Sequence, residues 1–362
     1  MRAAVQARPQ PTAHAPESAP VVVCGVDDAR TDKAVVLFAA DLSKRVGGRL
    51  ILLHVQPPPL IGLEPQIAYA TSQPKPHTER DQLAAARELA RLAADAGVAP
   101  STEVRVGYGD LEQQLLAVAR DEQATVVVVR SRAGSRPGQR GSRALRLIER
   151  AAAPVVVVPV ADGERVAASA SPDWGRHRMA SERTSGDAAR MSSTNGGDVT
   201  SSILCGVDGS HHARVALRHA ARLARKLGVR LVVAHVVQPP LSSPGVGPTA
   251  RQLMTIPIDA LLASGEALVD KILEEEELMG AKRRVLLGFP GDRLADLADD
   301  EAAELIIVGS RGRGAVKSAL LGSVSADVIG VARRPVLVVP SRADVPSRER
   351  GEARGASLAR AT

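Results

Sequence analysis

Residues Gly309–Ser323 read "GSRGRGAVKSALLGS", a stretch with four glycines, two arginines and a lysine. It follows the apolar run "ELIIVGS" and leads into "LLGSVSADVIGVA", whose apolar residues recur at helical spacing. Glycines let backbone N–H groups turn into one concavity, and a helix start carries partial positive charge. Gly309 and Gly312 flank two residues, nine more follow, and Gly322-Ser323 open the last helix. Ser323 and Ser325 add hydroxyl donors. Read from the residues, this is a cradle for phosphates; the bland alternative is a solvent loop. Two other phosphate motifs fail. A Walker A motif needs glycine before Lys317, where Val316 stands, and Gly-x-Gly-x-x-Gly fails because Lys317 follows Gly312 and Gly314 where a third glycine is due.

Working outward, the chain proves to be duplicated. "VVVCGVDDA" matches "SILCGVDGS", placing Cys24 and Cys205 181 positions apart (205 minus 24). His54 and His235, in "LILLHVQPP" and "LVVAHVVQPP", share that offset, as do Pro154 and Pro335. Three anchors at one spacing indicate two homologous domains. The expected boundaries are a disordered tail at 1–19, a first domain at 20–160, a flexible linker at 161–200, a second domain at 201–341 and a polar tail at 342–362. The linker is rich in Ser, Gly, Asp and Arg and holds Trp174, read as a loose surface aromatic.

Within each half, Val/Ile/Leu runs alternate with amphipathic helices. Such runs mark strands buried on both faces, hence an α/β fold of two repeated doubly wound, Rossmann-like domains with parallel sheets. Ligands of such sheets bind beyond the strands' carboxyl ends, where the strand order reverses. Hydrophobic content of 44% with 1% aromatics implies cores of Val, Leu, Ala and Ile. No window approaches about 18 consecutive apolar residues, so no membrane span is expected. The N-terminal residues lack a secretory signal's apolar core. Two cysteines make neither a disulfide framework nor a metal spacing, and cytoplasm is the default compartment. Cys24 and Cys205 read as buried, inert thiols.

Three strand ends of the second half carry chemistry. The first reads "GVDGS", Gly206 to Ser210. Ser210 reads as a helix cap. Asp208 is either turn chemistry or a carboxylate awaiting a partner such as ribose hydroxyls. The second strand ends in His235-Val236, and a histidine repeated at His54 reads as a satisfied core residue sooner than a metal ligand. The third is the opening stretch.

These residues resemble the universal stress protein family: "GVDGS", "AHVV", the spacing Gly309-x-x-Gly312, nine residues, Gly322-Ser323, and the closing "RPVLVVP". The resemblance covers both halves. It implies five parallel strands per domain in the order 3-2-1-4-5 and, with this glycine spacing, ATP between strands one and four. It further implies that Gly206 and Asp208 belong to the nucleotide site, with Asp208 holding the ribose, and that Val236 contacts adenine. Val308, Gly309, Arg311 and Gly312 would line the nucleotide. Gly322, Ser323, Val324 and Ser325 would hold its phosphates, with or without Mg²⁺.

The first half departs from this pattern. Arg130 stands for Gly309, Ala133 for Gly312 and Asp28 for Gly209. Arginine does not readily adopt positive φ and would fill ligand space. Asp27, Val55, Val129, Gly141 and Ser142 are the weaker candidates there. The expected outcome is lost or weakened nucleotide binding, with arginines gripping ATP phosphates as the alternative. A third reading makes them a solvated face. Seven arginines and one acid between Arg130 and Arg150 carry six of the chain's net +7. That concentration raises a nucleic-acid reading, but no aromatics interleave.

The phosphate site shows no carboxylate pair for Mg²⁺ and no nucleophile with a base. The leading reading is therefore a nucleotide-sensing regulator, not an enzyme, with weak ATPase as a side activity. The competing enzyme would hydrolyse adenine nucleotides and need acids from the loop 239–257, which has none. The acidic run Glu274–Glu277 reads as a solvated face or a partner for the first half's arginines. The apolar last strands would be bare sheet edges, so the two halves are expected to pair through them; further dimerisation stays open.

Overall fold

A computed structural model describes residues 19–27, 32–56, 79–95, 102–132, 143–160, 201–238, 257–312 and 321–340. The expected linker, most of both tails, Trp174, the loop 239–256, and Ala133, Gly141 and Ser142 lie outside them. In the first half, β1 (Val21–Val26), α1 (Lys33–Arg45), β2 (Arg49–Gln56), α2 (Glu79–Asp95), β3 (Thr102–Tyr108), α3 (Leu111–Asp121), β4 (Val126–Arg132), α4 (Arg143–Arg150) and β5 (Val155–Val160) follow one another. The second half runs β6 (Ser202–Gly206), α5 (His211–Leu227), β7 (Arg230–Val237), α6 (Ile258–Glu275), β8 (Lys282–Leu287), α7 (Pro290–Asp300), β9 (Ala303–Gly309), α8 (Ser323–Val331) and β10 (Val336–Val339).

Each half is a parallel sheet in the order 3-2-1-4-5, and together they form ten strands ordered β3-β2-β1-β4-β5-β10-β9-β6-β7-β8. Among the described residues the seam is the one antiparallel pairing: Val336 faces Val157, Leu337 faces Val156 and Val338 faces Val155. At the 181-residue offset Val336 corresponds to Val155 and Val338 to Val157. The seam therefore has pseudo-two-fold symmetry about Leu337 and Val156.

Alternation along each strand divides the core in two. Val22, Cys24 and Val26 of β1 join Ile203 and Cys205 of β6 under α1, α2, α5 and α6. Val21, Val23 and Leu204 face the other way, under α3, α4, α7 and α8. Both cysteines are buried free thiols, and burial holds their pKa far above the ordinary thiol value.

The acidic run does not reach the first half. Helix α6 stops at Glu275 and Glu277 takes φ +56, consistent with the cost of acids at a helix C-terminus. Glu275 pairs with Arg214, and Glu276 accepts from Arg218 at 2.9 Å, both on α5 of the same half.

Both outer strands carry charge, which blunts a sheet edge. On β8, Lys282 and Arg284 meet Glu301 at 2.7 and 2.8 Å. Burial alone would raise the Glu301 pKa, but the hydrogen bonds from Lys282 and Arg284 outweigh it and hold it below the ordinary carboxylate value. A carboxylate with a lowered folded pKa stabilises above its unfolded pKa and loses that contribution as pH falls through the folded one. Glu301→Gln is thus expected to cost about 1–3 kcal/mol at neutral pH. The difference from wild type should shrink below about pH 4, as read by denaturant unfolding at pH 7 and pH 3.5.

Candidate functional site

The stretch "GVDGSHHA" assigns one task to nearly every residue at the carboxyl end of β6. Val207 N–H donates to the Ala234 carbonyl at 2.8 Å, and its own carbonyl meets His235 Nδ1 at 2.8 Å. His54 repeats this contact on the Val26 carbonyl at 2.9 Å. The repeated histidine is therefore a clip holding the end of the first strand in each half. Gly209 takes φ +80, which a side chain would strain. Asp208 Oδ1 accepts the Ser210 N–H at 2.9 Å, and Ser210 Oγ caps α5 by accepting from Ala213 N–H at 3.2 Å.

Three further stretches close on this turn. A Cβ on Gly309 would lie 2.8 Å from the carbonyl carbon and oxygen of His212, so the first turn of α5 rests directly on the end of β9. A Cβ on Gly312 would stand 2.6 Å from Asp208 Oδ2. On Gly322 it would meet Arg311 Cα at 3.3 Å. Hydrogen bonds lock the arrangement: Ser310 N–H donates to the Val339 carbonyl at 2.9 Å, and Gly322 N–H to the Ser310 carbonyl at 2.8 Å. Ser325 Oγ, buried, donates to the Gly309 carbonyl at 2.7 Å.

This geometry corrects the reason given for the glycines. Gly309, Gly312 and Gly322 do not take positive φ. They are small because backbone and carboxylate press against them. Gly206 is likewise a packing position, since a Cβ would fall 2.9 Å from Leu294 Cδ1, as one on Gly25 would fall 2.7 Å from Leu115. The Gly322 N–H and the Ser325 hydroxyl, expected at the phosphates, bind the loop to its strand instead. The first turn of α8 starts on Gly322 with no side-chain cap. Its Ser323, Val324 and Ser325 N–H groups have no acceptor within the helix.

Val308 is buried in the core beneath, and half-buried Val236 packs on the same cluster. Val324 and half-buried Arg311 reach the surface. His212 was not singled out from the sequence, where nothing distinguishes it from His211. Its backbone is what Gly309 touches. Its imidazole pKa is pushed below the ordinary value by burial, then by Arg311 and His211, against an opposing pull from Asp208. Asp208, Arg311 and the His212 imidazole are thus close enough to act on one another electrostatically.

In the first half Val55 and Val129 are buried, and Asp27 directly follows β1. Arg130 and Arg143 both pair with Asp27. Arg146 and Arg150 each meet the buried Glu112 at 2.9 Å. Four of the seven clustered arginines therefore have acidic partners within the first half; Arg130 is largely buried, whereas Arg143, Arg146 and Arg150 stay about half exposed.

Among the described residues no three His, Cys, Asp or Glu side chains gather as a metal site, and no helix is long and apolar enough to cross a membrane. Compared with known proteins, residues 20–159 and 200–340 match the model of the Universal stress protein family. A universal stress protein of Mycolicibacterium smegmatis is 28% identical over 330 residues, covering 89% of this chain and 97% of that one. Another, from Methanocaldococcus jannaschii, is 31% identical over 147 residues, 40% of this chain and 85% of its own length. The crystal structure of a universal stress protein from Archaeoglobus fulgidus superposes with a TM-score of 0.52 at 19% identity, covering 89% of this chain and 97% of that one.

Proposed function

The chain belongs to the universal stress protein family, and from that premise we propose that it is an ATP-binding regulator whose nucleotide sits in the second half. The observation that carries this reading is the convergence of Asp208, Gly312, Arg311 and the uncapped start of α8 within one crevice. The crevice lies at the carboxyl ends of β6 and β9, where the strand order reverses. An acid suits ribose hydroxyls, and bare amides with an arginine suit a polyphosphate. Val236 supplies an apolar contact for adenine. Magnesium enters, on this reading, as the counter-ion of the triphosphate.

A sensing role in stress response fits better than catalysis, because Asp208 is the acid at the crevice mouth and is already tied to its own turn. The seam of β5 and β10 makes the chain its own partner, and we propose that it persists in solution in the cytoplasm.

Calorimetric titration of ATP into the full chain tests the site. Saturable binding is expected, with Asp208→Asn weakening it about tenfold, the equivalent of one or two hydrogen bonds. Absence of saturable binding would end this reading. Turnover above an Asp208→Asn control would favour a hydrolase, and salt-sensitive binding to duplex DNA would favour a nucleic-acid protein.

A further inference from the structure

Strand register fixes which residues of the two halves correspond. Cys24 lies opposite Val128 and Cys205 opposite Ile307, so two residues on, Arg130 in β4 stands where Gly309 stands in β9. Asp27 and Asp208 each come three residues after their cysteine. In the second half the space beside Gly309 is taken by the backbone of His212 and Ala213. The counterpart of Ala213, 181 positions earlier, is Asp32. Helix α5 begins at His211, the counterpart of Arg30, whereas α1 begins at Lys33 with Asp32 as its N-cap residue.

Asp32 is fully buried at 0% exposure. It accepts from Arg130 Nη1 at 2.8 Å and from the Asp27 N–H at 2.7 Å. Arg130 Nε stands 3.7 Å from Asp27 Oδ2, and Arg143, which opens α4, binds Asp27 Oδ1. Both oxygens of the acid that corresponds to Asp208 are thus held by guanidinium groups. The exchange works only as a pair. Losing Asp32 would take from Arg130 its 2.8 Å carboxylate partner, and losing Arg130 would take that guanidinium from a fully buried carboxylate. Within this cluster the two acids and two arginines sum to zero.

We propose that these residues form an internal plug: Arg130, pinned between Asp27 and Asp32 with Arg143 across the opening, shuts the first crevice to nucleotides. The chain then carries a single nucleotide, and the first half serves its partner as a scaffold. The proposal rests on the reading of the second half as the ATP site.

Equilibrium dialysis of the full chain against radiolabelled ATP counts the sites. The plug requires one ATP per wild-type chain and two for R130G/D32A, a charge-neutral exchange that copies Gly309 and Ala213. Two per wild-type chain, or one per folded R130G/D32A chain, overturns it. Should that variant fail to fold, photolabelling of the wild-type chain with 8-azido-ATP decides: label confined to second-half peptides supports the plug, and label within residues 20–160 refutes it. A wild-type count of zero would instead sink the reading of the second half, and the plug would then be judged by whether R130G/D32A binds one ATP.

Discussion

Gly309→Ala is expected to destabilise the chain by about 1–3 kcal/mol, the usual cost of forcing one methyl into a close-packed site. At this domain size that lowers the melting temperature by roughly 4–10 °C. ATP affinity should fall at least tenfold. The added carbon would stand 2.8 Å from the His212 carbonyl carbon and oxygen, and backbone cannot swing aside as a flexible side chain can. Either the end of β9 or the first turn of α5 must move. Both carry the site, since Ser310 and Arg311 follow Gly309 directly and Ser210 and Asp208 precede the helix. Gly280→Ala is the control, because a methyl there meets nothing within 4 Å; it should leave melting and binding close to wild type. Equal effects of the two substitutions would show that contact at Gly309 does not set the geometry.

The second large effect is expected at the seam. Leu337→Asp places a carboxylate at a position 5% exposed, facing Val156 at 1%. A buried unpaired acid either stays charged at heavy cost or takes up a proton, so at least about 3 kcal/mol of stability should be lost. The bared edges of β5 and β10 would then pair between chains. Light scattering should show concentration-dependent association beyond that of the wild type. A variant that melts within about 2 °C of wild type and associates no more than it does would mean that the halves do not depend on this joint.

The alternation of apolar runs and helices was legible because parallel strands buried on both faces leave nearly unbroken Val/Ile/Leu segments, as in β1 and β9. Strand order followed from the family resemblance. The convergence of "GVDGS" with the glycine loop was approachable from spacing and the rule of strand ends, but the reason for each glycine was not. Gly309 looks the same in sequence whether it needs positive φ, a near ligand or a near helix, and only the position of His212 decides among these. The arginine cluster was open to several readings for a related reason. Counting charge between residues 130 and 150 ignores long-range partners such as Glu112, Asp27 and Asp32, which lie distant in sequence and are brought close by folding. Glu275 and Glu276 likewise found their arginines on the neighbouring helix of their own half.

The most direct test of the central claim is a crystal structure of the full chain grown with a non-hydrolysable ATP analogue. The account predicts density in the second half alone, with ribose against Asp208 and phosphates over the N–H groups of Ser323 and Val324. Density in the first-half crevice in place of the second, or phosphates lying away from the start of α8, would contradict it.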